Sequence, residues 1–154
     1  MSKLDKPVLD YFEQEYPGQY DREGNTVSQE IGDGEIQATL AWFDEEDEPA
    51  LVIVYAHLAD LPTLSEPQLA LGVKLANVLN ADMLVGACRV AEDGEVMVRH
   101  SYYVADGTLG PDQIAANYAG PVNDAIRFYP AFLAIASGAD LGTALSAVMP
   151  DEED

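Results

Sequence analysis

The chain has 154 residues, and its 28 acidic against 7 basic side chains give a formal net charge of −21. That length suits one domain, and a hydrophobic fraction of 48% with eight tyrosines excludes a disordered acidic chain. The electrostatic field of so negative a chain repels phosphate backbones and anionic lipid head groups. We therefore expect neither nucleic acid nor a membrane as a direct partner.

The single cysteine, Cys88, excludes an internal disulfide and favours a reducing compartment. The start of the chain has no basic segment followed by an apolar one, and no apolar run is long enough to span a bilayer. We therefore expect a cytoplasmic protein with one α+β domain over residues 1–150 and an acidic tail at 151–154.

The first half of the chain predicts one helix and three strands. Apolar side chains recur at helical spacing over residues 5–16, and Pro17-Gly18 closes that segment. A polar loop leads to strand-like runs near 26–31, 35–43 and 50–58. The short links between these runs are typical of an antiparallel meander.

The second half predicts a helix, a hairpin and a long helix. Ser65 suits an N-cap and Gln68 its capping-box partner, for a helix that ends near Asn80. Two strands, within 81–91 and 94–105, flank an Asp-Gly turn signal.

The long third helix is predicted from Pro111 to about Ser137, with kinks or breaks at Pro121 and Pro130 and a C-cap at Gly138. Asp140 suits the cap of a short last helix. Because strands and helices do not alternate throughout, the order predicts an α+β fold with a mostly antiparallel sheet.

Five consecutive acids, Asp44, Glu45, Glu46, Asp47 and Glu48, precede the third strand. They lack the alternating oxygen ligands, the glycine and the distal glutamate of a calcium loop. Their place between two strands, before Pro49, is typical of a solvated turn. We expect this turn to bind a basic protein partner, a class that includes many DNA- and RNA-binding proteins.

No catalytic or cofactor signature is present, so we predict a protein that is not an enzyme and needs no cofactor. His57 and His100 each lie in a strand pattern, and two histidines with one cysteine at unpaired spacing make a poor zinc set. Cys88 lies in a strand among small and apolar residues, which favours an inert thiol. The alternative function is a small-ligand or metal-responsive sensor that uses the histidines or the acidic turn.

The long helix is apolar on a broad front. We expect the face around Tyr118, Ile126 and Tyr129 to contact a partner or a second subunit, because an apolar excess beyond one core is most simply covered by a homodimer.

Three stretches carry a resemblance to a known family: WFDEEDEPALVIVYAHL, LSEPQLALGVKLANVLN and the run from GACRVAEDGEVMVRHSYYVADGTLGPDQ to the end of the long helix. With this order of elements, the chain resembles the YbjN family of bacterial sensory transduction regulators, whose fold is similar to that of type III secretion chaperones. The resemblance covers roughly residues 5–138. It implies a non-enzymatic, chaperone-like or regulatory protein that forms dimers and binds protein partners.

Overall fold

A computed structural model describes residues 2–105 and 108–148 of the chain. The helices are α1 (Asp5–Glu15), α2 (Glu66–Asp82), α3 (Pro111–Ala136) and α4 (Leu141–Ser146). The strands are β1 (Asp21–Glu23), β2 (Thr26–Ile31), β3 (Ile36–Phe43), β4 (Ala50–Leu58), β5 (Ala87–Val90) and β6 (Val96–Val104). The α+β class is confirmed, whereas the predicted acidic tail at 151–154 lies outside the described residues.

The strands form one antiparallel sheet in the order β1-β2-β3-β4-β6-β5. Alternate side chains of β4 point to opposite faces, and Val52, Val54 and Ala56 are fully buried on the face that α3 covers. Tyr55 and His57 lie on the other face, which we call the outer face, and both are only half-buried. The apolar core therefore lies between the helices and one face of the sheet.

The N-terminus of α1 is fixed to the end of β3 by the only tryptophan. Trp42 is fully buried, and its indole Nε1 donates to Asp5 Oδ1 at 2.8 Å. Arg22 places its guanidinium 3.7 Å from the other oxygen of Asp5. A buried indole N–H needs such a partner, so Asp5 both satisfies Trp42 and sets where α1 begins.

The caps that the sequence predicts are present. The Ser65 N–H donates to Gln68 Oε1 at 2.8 Å at the start of α2. The Thr143 N–H donates to Asp140 Oδ1 at 2.8 Å at the start of α4, which lowers the pKa of Asp140. Gly138, with φ of 95°, follows α3 in the left-handed region that only glycine adopts easily.

Two predictions about the elements are wrong. Residues 21–23, predicted as polar loop, form the short strand β1, which pairs with β2 across a two-residue turn at Gly24. Kinks or breaks were predicted in α3 at its prolines, and the structure excludes the breaks, since the helix continues through Pro121 and Pro130. Pro121 is buried, and packing of its neighbours against the sheet offsets the lost backbone hydrogen bond.

The strand predicted within 81–91 is shorter than expected. Helix α2 continues to Asp82, and β5 begins only at Ala87, after Gly86 with φ of 77°. A Cβ at Gly86 would lie 2.8 Å from the backbone oxygen of Arg99, so only glycine fits this approach to β6. The residues between them, which include the fully exposed Leu84, form a loop.

Both edges of the sheet are protected. The edge strand β1 has three residues, all of them charged and exposed. At the other edge, Asn80 of α2 takes the place of a further strand: its Nδ2 donates to the Cys88 carbonyl at 3.0 Å, and its Oδ1 accepts from the Cys88 N–H at 2.6 Å. Neither edge offers a long row of free backbone groups to another strand.

Candidate functional site

The acidic turn joins β3 to β4 as a tight reversal. The Glu48 N–H donates to the Glu45 carbonyl at 3.3 Å, and Asp47 has φ of 73°. The left-handed region is tolerated by aspartate better than by most residues, which explains how the turn forms without glycine. Glu45, Glu46, Asp47 and Glu48 are all exposed, so the predicted solvated turn is present.

Asp44 differs from the other four acids because it is half-buried and has structural partners. Its Oδ2 accepts hydrogen bonds from Ser2 Oγ at 3.0 Å and from the Lys3 N–H at 2.9 Å. Asp44 therefore holds residues 2–3 against the turn. The carboxylates free to meet a partner are those of the four residues that follow it.

An apolar row lies directly beside this turn on the outer face. Phe43 of β3 pairs with Leu51 of β4, and Leu51 pairs with Tyr103 of β6. Phe43 is 49% exposed and Tyr103 is 69% exposed, which is a large apolar and aromatic surface to leave in water. The acidic turn and this row form one surface, which we call the acidic cleft.

Two concave regions shape the acidic cleft. One, of about 770 Å³, lies between the five acids, Lys3 and Tyr103. The other, of about 350 Å³, is lined by Phe43, Leu51 and Tyr103 together with the neighbouring turn residues Glu45, Glu48 and Pro49. Tyr103 lines both, so a bound segment can place a cation by the carboxylates and an apolar group by the rings.

The predicted contact face of α3 is wrong for two of its three residues. Tyr118 is 2% exposed and Tyr129 is 9% exposed, because both pack into the core. Tyr118 Oη donates to Gln29 Oε1 at 2.6 Å, and Tyr129 Oη donates to the Asp60 carbonyl at 3.3 Å. Only Ile126, which is 46% exposed, is open to a partner.

The structure does not bring the two histidines together. His57 lies on the outer face of β4, whereas His100 lies on the helix-covered face of β6, where its Nε2 is 2.9 Å from Asn117 Oδ1. Across the described ranges, no three side chains of His, Cys, Asp and Glu come together in a way that could hold a metal ion.

Cys88 is buried on the helix-covered side of β5. Burial, and secondarily the carboxylate of Asp124, raise the pKa of its thiol to about 12. A thiol with so high a pKa is almost wholly protonated at neutral pH and is a poor nucleophile.

Sequence reasoning missed Phe43 and Tyr103. Both directly follow an aromatic residue that points inward, Trp42 and Tyr102 respectively, so each pair resembles a continuous apolar run. Strict alternation counted from Val98, which is fully buried, places Tyr103 on the outer face and supplies the missing signal.

Comparison with known protein families identifies a match for this chain. Residues 8–134 match the family described as "YbjN: Putative bacterial sensory transduction regulator". The chain belongs to the YbjN family. A crystal structure described as "YbjN, a putative transcription regulator from E. coli" shares the fold, with a TM-score of 0.50 and 16% sequence identity over 87% of this chain and 91% of that one. The curated proteins contain no match to the chain.

Within residues 2–105 and 108–148, no helix is a candidate to span a membrane. None of the helices there has the length and the apolar content that a crossing requires.

Proposed function

We propose that this YbjN-family protein is a non-enzymatic regulator that acts in the cytoplasm by binding a basic protein through the acidic cleft. The observation that carries the proposal is that four exposed carboxylates share concave regions with exposed aromatic rings: Tyr103 lines both regions, and Phe43 lines one of them. Carboxylates next to open aromatic rings suit a segment that contains arginine or lysine together with apolar residues.

The charge of the whole molecule supports a basic partner. A net charge of −21 attracts cationic proteins over a distance of about one Debye length, roughly 8 Å at physiological salt. Nucleic-acid-binding proteins form a large class with the required basic surfaces, and we propose a partner from that class. The electrostatic field of the protein first attracts the partner, and the acidic cleft then makes the specific contacts.

The proposed role is chaperone-like in that a partner segment is held on the surface of a small α+β domain. It differs from strand addition, because β1 is short and charged and Asn80 caps β5. We therefore propose that the partner docks through side chains in the acidic cleft.

The test is a binding titration with a fluorescently labelled peptide rich in arginine and leucine, against the wild type and two triple variants. The first variant carries Glu45→Gln, Glu46→Gln and Glu48→Gln, which leaves Asp44 and its hydrogen bonds intact. Exposed charge pairs contribute about 0.5 kcal/mol each. Removal of three carboxylates should therefore weaken binding by about 1.5 kcal/mol, which raises Kd roughly tenfold.

The matched control carries Glu15→Gln, Glu92→Gln and Glu95→Gln, three exposed glutamates outside the acidic cleft. It removes the same net charge and should bind with close to wild-type affinity. Equal weakening by both variants would mean that only net charge matters, and it would refute the acidic cleft as the site. Tyr103→Ala should also weaken binding, by more than 1 kcal/mol if the ring is a central contact.

A further inference from the structure

The strands β3, β4, β6 and β5, which are neighbours in the sheet, contain no acidic side chain, although the chain has 28 of them. Two arginines lie there instead, Arg89 on β5 and Arg99 on β6. This part of a very acidic molecule therefore carries local positive charge.

The two arginines point to the same face of the sheet. Cys88 and Val98 are cross-strand partners that are buried on the helix-covered face, so Arg89 and Arg99, one residue further along each strand, lie on the outer face. Arg89 is opposite Met97, which makes Arg99 its diagonal neighbour. Diagonal neighbours are separated by about 7–8 Å, so two long side chains can bring both guanidinium groups to one small anion.

No carboxylate of the described residues forms an ion pair with Arg89 or Arg99. The guanidinium groups of the other two arginines, Arg22 and Arg127, lie 3.7 and 3.4 Å from aspartate oxygens. The Nε of Arg99 is buried and has no acceptor within the part of the chain that the structure describes. A buried N–H without a partner is rare in proteins. No internal hydrogen bond or ion pair there competes with an external anion for these two groups.

The ring of Tyr55 holds the Arg99 side chain in position. Tyr55 pairs with Arg99 across β4 and β6, and the guanidinium carbon lies 5.6 Å from the ring centroid. That distance is within the range of a cation–π contact. Because the guanidinium is planar and is already held against the ring, little side-chain entropy is lost when it binds an anion.

A concave region of about 410 Å³ gives access to both arginines. Arg89, Arg99 and Ser101 line it, and Gly86 forms part of its wall without a side chain. Ser101 is exposed and lies two residues after Arg99 on β6, so its hydroxyl is on the same face. The region therefore offers two guanidinium groups and one hydroxyl donor.

We infer that Arg89, Arg99 and Ser101 form a binding site for a small phosphate dianion, which is either inorganic phosphate or a phosphate monoester. The planar guanidinium donates two parallel hydrogen bonds to phosphate oxygens, and the hydroxyl can donate a further one. Repulsion by the net charge of −21 grows with the charge of the ligand, so it opposes a nucleic acid far more than a dianion.

The anion site is separate from the acidic cleft, because neither arginine lines the cleft. It gives the chain a second kind of ligand, a small phosphorylated effector, beside the proposed protein partner. A failure of peptide binding at the acidic cleft would leave the anion site untouched, and the reverse is also true.

Titration of the ¹⁵N-labelled full chain with phenyl phosphate, followed by NMR at pH 8 and constant ionic strength, tests the site. A phosphate monoester is a dianion at that pH. The Nε–H signals of Arg89 and Arg99 and the amide signal of Ser101 should shift and saturate together. Arg89→Gln and Arg99→Gln should each raise Kd at least about tenfold, because hydrogen bonds to a charged group are lost. Arg99→Lys keeps the charge but loses the planar donor pair, and it should also weaken binding.

The matched control is Arg127→Gln on α3, which changes the net charge by the same amount and should bind phenyl phosphate as the wild type does. The dispersion of the amide signals shows that each variant is folded. A second titration uses inorganic phosphate: equal affinity would identify inorganic phosphate as the sufficient ligand, and tighter binding of phenyl phosphate would identify a monoester. Shifts that sodium chloride reproduces, equal weakening by Arg127→Gln, or tighter binding of a DNA oligonucleotide would each overturn the inference.

Discussion

The buried hydrogen bond between Tyr118 and Gln29 supports a quantitative prediction. Tyr118 Oη donates to Gln29 Oε1 at 2.6 Å, and Gln29 Nε2 donates to the Gln19 carbonyl at 3.2 Å. This chain ties α3 to β2 and to the loop before β1. Tyr118→Phe keeps the ring, whose centroid lies 5.2 Å from that of Phe12, and removes only the hydroxyl.

Removing the hydroxyl leaves a buried amide oxygen without its donor, since Gln29 is 7% exposed. The cost for such a group is about 1–3 kcal/mol. With a urea m-value of about 2 kcal/mol/M, a loss of about 2 kcal/mol lowers the midpoint of unfolding by about 1 M. Trp42, the only tryptophan and fully buried, reports the transition by its fluorescence.

The matched control is Tyr103→Phe, which removes a hydroxyl from a ring that is 69% exposed and should leave the midpoint unchanged. The double variant Tyr118→Phe, Gln29→Met removes both partners and should lose less stability than the sum of the two single variants. Equal midpoints for Tyr118→Phe and Tyr103→Phe would refute the reasoning.

Three further predictions follow from local geometry. Asn80→Ala should cost about 2 kcal/mol, seen as a melting temperature lower by about 6 °C, because the Cys88 N–H and carbonyl lose their side-chain partners. Cys88 should react with a thiol reagent at pH 8 only once urea unfolds the chain. Because folding raises the pKa of the Cys88 thiol from 9.0 to about 12, its contribution to the free energy of unfolding should be full below pH 9 and should disappear towards pH 12. Comparison with a Cys88→Ala variant isolates that contribution. Asp47→Gly should be neutral or stabilising in urea unfolding, whereas Asp47→Val should cost about 1–2 kcal/mol, because only glycine adopts a φ of 73° freely.

The helices could be predicted well because their signals are local. Ser65, Gln68, Asp140 and Gly138 each act on backbone groups within a few residues, so their effect does not depend on the rest of the fold. Strand β1 could not be predicted, since its three residues are all charged and carry no apolar alternation. It exists because β2 supplies the backbone partners.

The candidate site could be predicted only in part, for a related reason. The acidic turn is contiguous in sequence and was visible there. The row of Phe43, Leu51 and Tyr103 is assembled from three strands. It depends on how β3, β4 and β6 pair residue by residue, and the amino-acid composition does not specify that pairing. Likewise, an apolar front on α3 does not reveal that Tyr118 points inward while Ile126 points outward.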